Sequence, residues 1–149
     1  MLLKKSIDFG SHQNVIYANG KVTLGKISLN VYCFMIDGVL IDTGSRSLSK
    51  HFEPFLLESD IEQVVLTHIH EDHCGCASIL EQKRNVPIYI HEMSVQVCGR
   101  NPEYPLYRKV FWGKRKPFKA KAIGSRFSSR TADLIVLKHL VMQRIILHF

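Results

Sequence analysis

The run His68-Ile69-His70-Glu71-Asp72-His73 is separated by Thr67 alone from the apolar stretch Val64-Val65-Leu66. A buried strand that ends in three imidazoles and an aspartate leaves few folds open. Core packing does not account for these side chains, because each would need a polar partner once buried. Imidazole nitrogen and carboxylate oxygen are the donors of a hydrolytic zinc site. Residues 68 and 70 are two apart, and in extended chain such residues project to the same side. His68 and His70 are therefore expected to grip one ion together. Asp72 and His73 come after the chain turns, where a helix begins, and are expected to face a second ion. A polar loop in a protein without metal would explain a lone histidine better than this spacing of three with an aspartate.

Around the run, strands and helices alternate. Val15–Leu24 alternates in hydropathy and contains Asn19-Gly20, a hairpin-turn signal. Leu29–Ile36 reads as a strand, Asp37-Gly38 as a turn, and Val39–Ile41 as a short strand ended by Asp42-Thr43-Gly44. Ser47–Glu58 reads as a helix with Leu48, Phe52, Phe55 and Leu56 on one face and Pro54 inside it. Ile61–Leu66 is expected to be a buried strand, Ala77–Lys83 a helix, Val86–Ile90 a strand and His91–Val97 a helix. Residues 99–132 read as loop with some helix. This order predicts an α/β layered fold in a chain of 149 residues, enough for one domain with a core.

Each ligating histidine needs its second ring nitrogen held by an acceptor. Asp42, at a strand end, is a candidate for that task. Asp42-Thr43-Gly44 equally makes a good turn, with the aspartate bonding backbone and the glycine taking positive φ. Zinc held by imidazole lowers the pKa of its water to about 7, and two ions about 3.5–4 Å apart can share the resulting hydroxide. Manganese or iron would also suit these ligands.

The net charge of +7 is concentrated. Lys114, Arg115, Lys116, Lys119, Lys121, Arg126 and Arg130 occur without an intervening acid. A solvated loop and surface helix is the favoured reading over a phosphate-binding patch, since the only aromatics there are Phe118 and Phe127 and base stacking lacks support. A small-molecule substrate is therefore the expected partner, with a nuclease that uses the basic 114–130 segment for phosphate contacts as the alternative. Cys33, Cys74, Cys76 and Cys98 have no disulfide-framework spacing and read as reduced thiols. No apolar segment follows Lys4-Lys5 as in a signal peptide, and no stretch is long enough to span a bilayer. A cytoplasmic location is expected. His91 reads as a strand-end or cap residue, and His12, His51 and His148 as surface. Cys74 and Cys76 read as small residues packing a helix start. Tyr104, Tyr107 and Trp112 either line a substrate opening or cover the core.

The pattern H-x-H-x-D-H after an apolar strand, with Ile41-Asp42-Thr43-Gly44 upstream, resembles the metallo-β-lactamase superfamily of metal-dependent hydrolases. The resemblance runs from about Val15 to about Arg130. It implies an αββα sandwich with the site at one edge of two sheets. It also implies a dizinc centre whose metal-bound hydroxide attacks a carbonyl or phosphorus centre. His68 and His70 would be first-metal ligands, Asp72 and His73 second-metal ligands, Asp72 also a catalytic residue, and Asp42 a support behind a ligand. Substrates implied are esters, thioesters, lactones or phosphoesters.

The family also calls for a third histidine on the first metal, a bridging aspartate and a last histidine. His139 lies near where the third histidine is due, but the expected Gly-His turn is missing. With permitted codons, Lys138–Ile146 read in the frame one base upstream can encode Thr-Pro-Gly-His-Ala-Glu-Asp-His, similar to the missing segment. The expectation is an N-terminal part of the domain over 1–132, followed by a frameshifted tail over 133–149 in a truncated product. The rival is a native terminal helix or strand, with Leu134, Leu137, Val141 and Ile145 at helical spacing. Either way, an incomplete sandwich should expose a sheet edge open to self-association, hold zinc weakly and turn over little substrate.

Overall fold

Tight two-residue turns fold the N-terminal stretch into an antiparallel meander of β1 Leu3–His12, β2 Val15–Leu24, β3 Ile27–Ile36 and β4 Val39–Ile41. The structure, a computed structural model, describes residues 2–131 and the backbone of residues 133–135. Pairing of His12 with Val15, Leu24 with Ile27 and Ile36 with Val39 leaves Gln13-Asn14, Gly25-Lys26 and Asp37-Gly38 as the turns. Asp37 and Gly38 have φ of 48° and 79°, the positive pair that matches strand twist in a hairpin.

Asn19-Gly20 is not a turn. It lies in mid-β2, with Asn19 opposite Asp8 and Tyr32 and Gly20 opposite Ile7 and Val31. Packing is the reason. A Cβ on Gly20 would lie 2.6 Å from Leu48 Cδ1 and 2.7 Å from Phe52 Cε2. The glycine makes room for a helix on the sheet rather than for a bend in the strand.

Beyond β4 the sheet turns parallel, and parallel neighbours need crossovers. α1 Ser49–Glu58 leads to β5 Gln63–Val65, α2 Glu71–Cys74 and α3 Ala77–Arg84 lead to β6 Ile88–Ile90, and α4 Val95–Cys98 and α5 Leu106–Trp112 lead to β7 Lys121–Ala122. The seven strands lie side by side in chain order. α1 buries Leu48, just before its first residue, with Phe52 and Leu56, one helical row. Pro54 is exposed on the opposite side, where a freed carbonyl meets water. Arg84 donates to the carbonyls of Leu56, Ser59 and Ile61 and closes the end of α1.

Two cores flank the sheet. Leu40, Val64, Ile88 and Ile90 pack with Phe52, Leu80, Phe111 and Trp112 on the helical side. Val39, Ile41, Val65 and Tyr89 pack with Ile123 and Phe127 on the other. Consecutive residues of β4, β5 and β6 thus point into different cores, and for that reason these strands read as unbroken apolar runs. The second layer begins with β8 Arg126–Ser128 paired antiparallel to β9 Asp133–Ile135. The Asp37 carboxylate pins it, accepting from Ser129 Oγ at 2.7 Å, Thr131 N at 2.7 Å and Thr131 Oγ1 at 2.8 Å. The fold is mixed α/β: helices, a large sheet, and two strands of a second sheet. Leu134, read at helical spacing, has strand backbone. His139, His148 and the remainder of the tail lie outside the described residues.

Candidate metal centre

β4 and β5 are parallel neighbours, and the Asp42 N–H donates to the Val65 carbonyl at 3.0 Å. The loops leaving both strands therefore sit together at their carboxyl ends, the usual place for a site on an α/β sheet. Asp42 has φ of 59°, a left-handed conformation that aspartate tolerates better than most residues. It turns the carboxylate toward the neighbouring loop. There it accepts from Thr67 N at 2.8 Å, Thr67 Oγ1 at 2.8 Å and His73 Nδ1 at 2.7 Å. The carboxylate thus lies behind a histidine ring, while Gly44 has the positive φ, 73°, that the turn reading called for.

The ligand loop is also tied by its backbone. Thr43 N donates to the His73 carbonyl at 2.7 Å, and Gly75 N to the Gly44 carbonyl at 2.8 Å. A Cβ on Gly75 would stand 2.3 Å from Arg46 N, so only glycine lets the two loops approach this closely.

The ligand atoms of His68, Asp72 and His73 all lie within 4.8 Å of one another. His73 Nε2 is 3.4 Å from Asp72 Oδ2. His68 Nδ1 is 3.0 Å from Thr67 Oγ1. With Nδ1 engaged on both rings, Nε2 is the nitrogen left to ligate. The grouping differs from the pairs expected from spacing. His70 stands at the N-terminal boundary of α2 without a side-chain capping bond, and the helical turn brings the His73 ring to 4.0 Å from that of His68. His70 stands beside the group, its ring 4.7 Å from His68, without joining it. Asp72 Oδ1 is buried and has no hydrogen-bond partner. Two imidazoles and a carboxylate with an unmet oxygen fit a divalent cation.

Electrostatics separate the two rings. Burial, helped by the charges of His73 and His70, lowers the His68 pKa to about 4. Burial opposes the charge on His73 too, but hydrogen bonds to Asp42 and Asp72 outweigh it and raise that pKa to about 10. Burial and the Arg108 charge lower His70. Burial resists ionisation of Asp72, yet the bond and charge of His73 hold it below the usual carboxylate range.

Several contacts at the site have little or no sequence signal. Thr67, just before the run, bridges Asp42 and His68. Glu71, inside the run, turns away from it, is fully buried, and accepts from Arg108 Nε at 2.5 Å. Cys74 and Cys76 are buried and donate to backbone carbonyls of Ile69, His70 and Ser45. Burial pushes the Cys76 thiol up to about 12. All four cysteines are free and buried. His91 Nδ1 accepts from Met93 N as a cap. His51, expected at the surface, is half-buried with its Nδ1 enclosed. Trp112 belongs to the core, Tyr107 is exposed and Tyr104 half-buried.

The basic segment is less of a patch than its sequence implies. Arg115 is 2% exposed and donates to the carbonyls of Cys98 and Val97. Arg130 pairs with Asp60 and Glu62. Phe118 and Phe127 are both in the core.

A family model of the metallo-beta-lactamase superfamily matches residues 28–144. The chain belongs to that superfamily. A search of curated proteins found no match. Among solved structures, the chain is similar to a metallo-beta-lactamase from Pontibacter korlensis, at 19% identity and TM-score 0.64 over 89% of this chain and 60% of that one. It is similar to the metallo-beta-lactamase GOB-18 from Elizabethkingia meningoseptica at 17% identity and TM-score 0.55, covering 83% and 47%. A beta-lactamase from Chitinophaga pinensis is similar at 20% identity and TM-score 0.53, covering 85% and 49%. At these identities the likeness is one of fold. The chain spans 47–60% of the length of these structures. Among the described residues, no helix is long and apolar enough to cross a membrane.

Proposed function

We propose that the chain is the metal-binding part of a hydrolase acting on small molecules with an electrophilic carbonyl or phosphorus. The observation that carries this reading is the convergence of His68, Asp72 and His73 at the ends of β4 and β5 in a member of this superfamily. These three residues would hold a divalent ion, zinc first and manganese or iron as rivals, with His70 beside them for a second ion. Such an ion supplies Lewis acidity and lowers the pKa of water to about 7. Asp42 holds His73 Nδ1 and so presents Nε2 to the site. Thr67 does the same for His68. Asp72 is the catalytic residue of this reading: its carboxylate, held ionised beside His73, would face the ion. We assign residues 1–132 to this part of the domain, 133–149 to an atypical tail, and the protein to the cytoplasm.

A second reading is a non-catalytic binding protein whose sheet is completed by another chain. One observation favours it. Tyr32 and Phe34 are 41% and 39% exposed on the sheet face that β8 covers elsewhere. A panel of ester, thioester, lactone and phosphodiester chromogens, assayed with zinc and with a chelator, separates the two. Hydrolysis is expected to be weak, abolished by the chelator and absent in Asp72→Asn. No turnover of any class by zinc-loaded protein would favour the binding protein.

A further inference from the structure

Glu71 lies among the ligands yet serves none of the contacts described for them. Its side chain is fully buried, Oε1 bonded to Arg108 and Oε2 enclosed without a partner. Arg108 sits on α5, 37 residues further along, with its guanidinium 5.7 Å over the Tyr104 ring. α5 is itself fixed: Phe111 and Trp112 are in the core, and Ser47 Oγ donates to the Phe111 carbonyl at 2.6 Å.

α2 is only four residues long, too short to hold its own geometry. Glu71 is its first residue, and Asp72 and His73 follow on the same turn. A carboxylate this deeply buried keeps its charge only beside a cation; removing the cation leaves an uncompensated charge under the loop or forces the group to take up a proton. The Arg108 guanidinium supplies that cation through its Nε, from a helix fixed in the core.

We propose that Arg108 is a positioning residue for the metal centre, fixing the rotation of α2 through Glu71 and with it the aim of Asp72 and His73. The proposal rests on the reading of residues 68–73 as a metal site. It adds to the Asp42 support a second one beneath the loop, from a helix the ligand motif does not mention.

The test is zinc affinity of the full chain, measured by competition with a chromophoric chelator, beside the unfolding midpoint of the metal-free protein. Arg108→Met is expected to bind zinc about 10–100-fold more weakly, the usual effect of losing an outer support. Arg108→Lys should recover much of that loss. Glu71→Gln should also weaken binding, and Glu71→Gln with Arg108→Met should be no worse than either alone, because the pair acts as a unit. Should Arg108→Met fail to fold, Glu71→Gln and Arg108→Lys carry the same comparison. A purely structural pair would lower the unfolding midpoint while folded variants kept zinc affinity within about twofold; that overturns the proposal and leaves the metal centre standing. No zinc binding by the unsubstituted chain overturns the metal centre and the positioning role together.

Discussion

Asp42 holds both ends of the ligand loop with one carboxylate, Thr67 on one side and His73 on the other. Asp42→Ala should weaken zinc binding about 10–100-fold. It should also destabilise the metal-free chain by about 1 kcal/mol, because the Thr67 and His73 donors, neither of them buried, lose their acceptor; chelator competition and urea unfolding check the two effects. The two rings also predict a pH profile. His68 is lowered to about 4, so the unfolded chain binds more protons between there and the ordinary histidine value, and metal-free stability rises with pH across that range. His73 is raised to about 10, so its contribution is full below the ordinary value of about 6.5 and is lost as pH climbs toward 10. Urea midpoints should therefore peak near pH 6.5, with His68→Ala flattening the acid limb and His73→Ala the alkaline one. A flat profile would contradict the assigned shifts. Zinc affinity should rise with pH, since His73 must shed its proton to ligate. The ligand run was legible because four donors at short spacing are hard to explain otherwise. Glu71 with Arg108 was not, because a contact across 37 residues leaves no local pattern.

α1 docks through Phe52, which fills the notches left by Gly20 and Gly44. Phe52→Ala should cost about 3–5 kcal/mol in thermal or urea unfolding. Gly20→Val should cost about 1–3 kcal/mol or more by overpacking the same notch. Retention of wild-type stability by both would mean that the helix is not seated as described. β4, β5 and β6 were legible because burial on both faces makes them apolar throughout. β1 was not. It is an edge strand, and Lys4, Lys5, Ser6 and Asp8 are all exposed. Asn19-Gly20 misled because a glycine needed for close approach looks, in sequence, like a glycine needed for a turn. α5 was hidden because Leu106, Tyr107 and Val110 are exposed and blur the apolar stripe.

Among the described residues, helices cover one face of the sheet from β2 to β6, and the start of a second layer covers the other face over β4–β6. The layered α/β class was legible from the alternation of strands and helices; which strands lacked a cover was not, because that depends on where β8 returns. The open edge at β1 and the exposed Tyr32 and Phe34 should drive self-association. Sedimentation velocity should show a concentration-dependent rise in mean mass, reduced in Tyr32→Lys with Phe34→Lys. A single species at all concentrations would contradict it. The most direct test of the central claim is a titration of metal-free protein with cobalt(II), followed by its visible ligand-field bands. The account predicts saturable binding that is lost or severely weakened in His68→Ala, Asp72→Ala and His73→Ala but retained in His12→Ala. No binding by the unsubstituted chain, or equal binding by all of these variants, would contradict it.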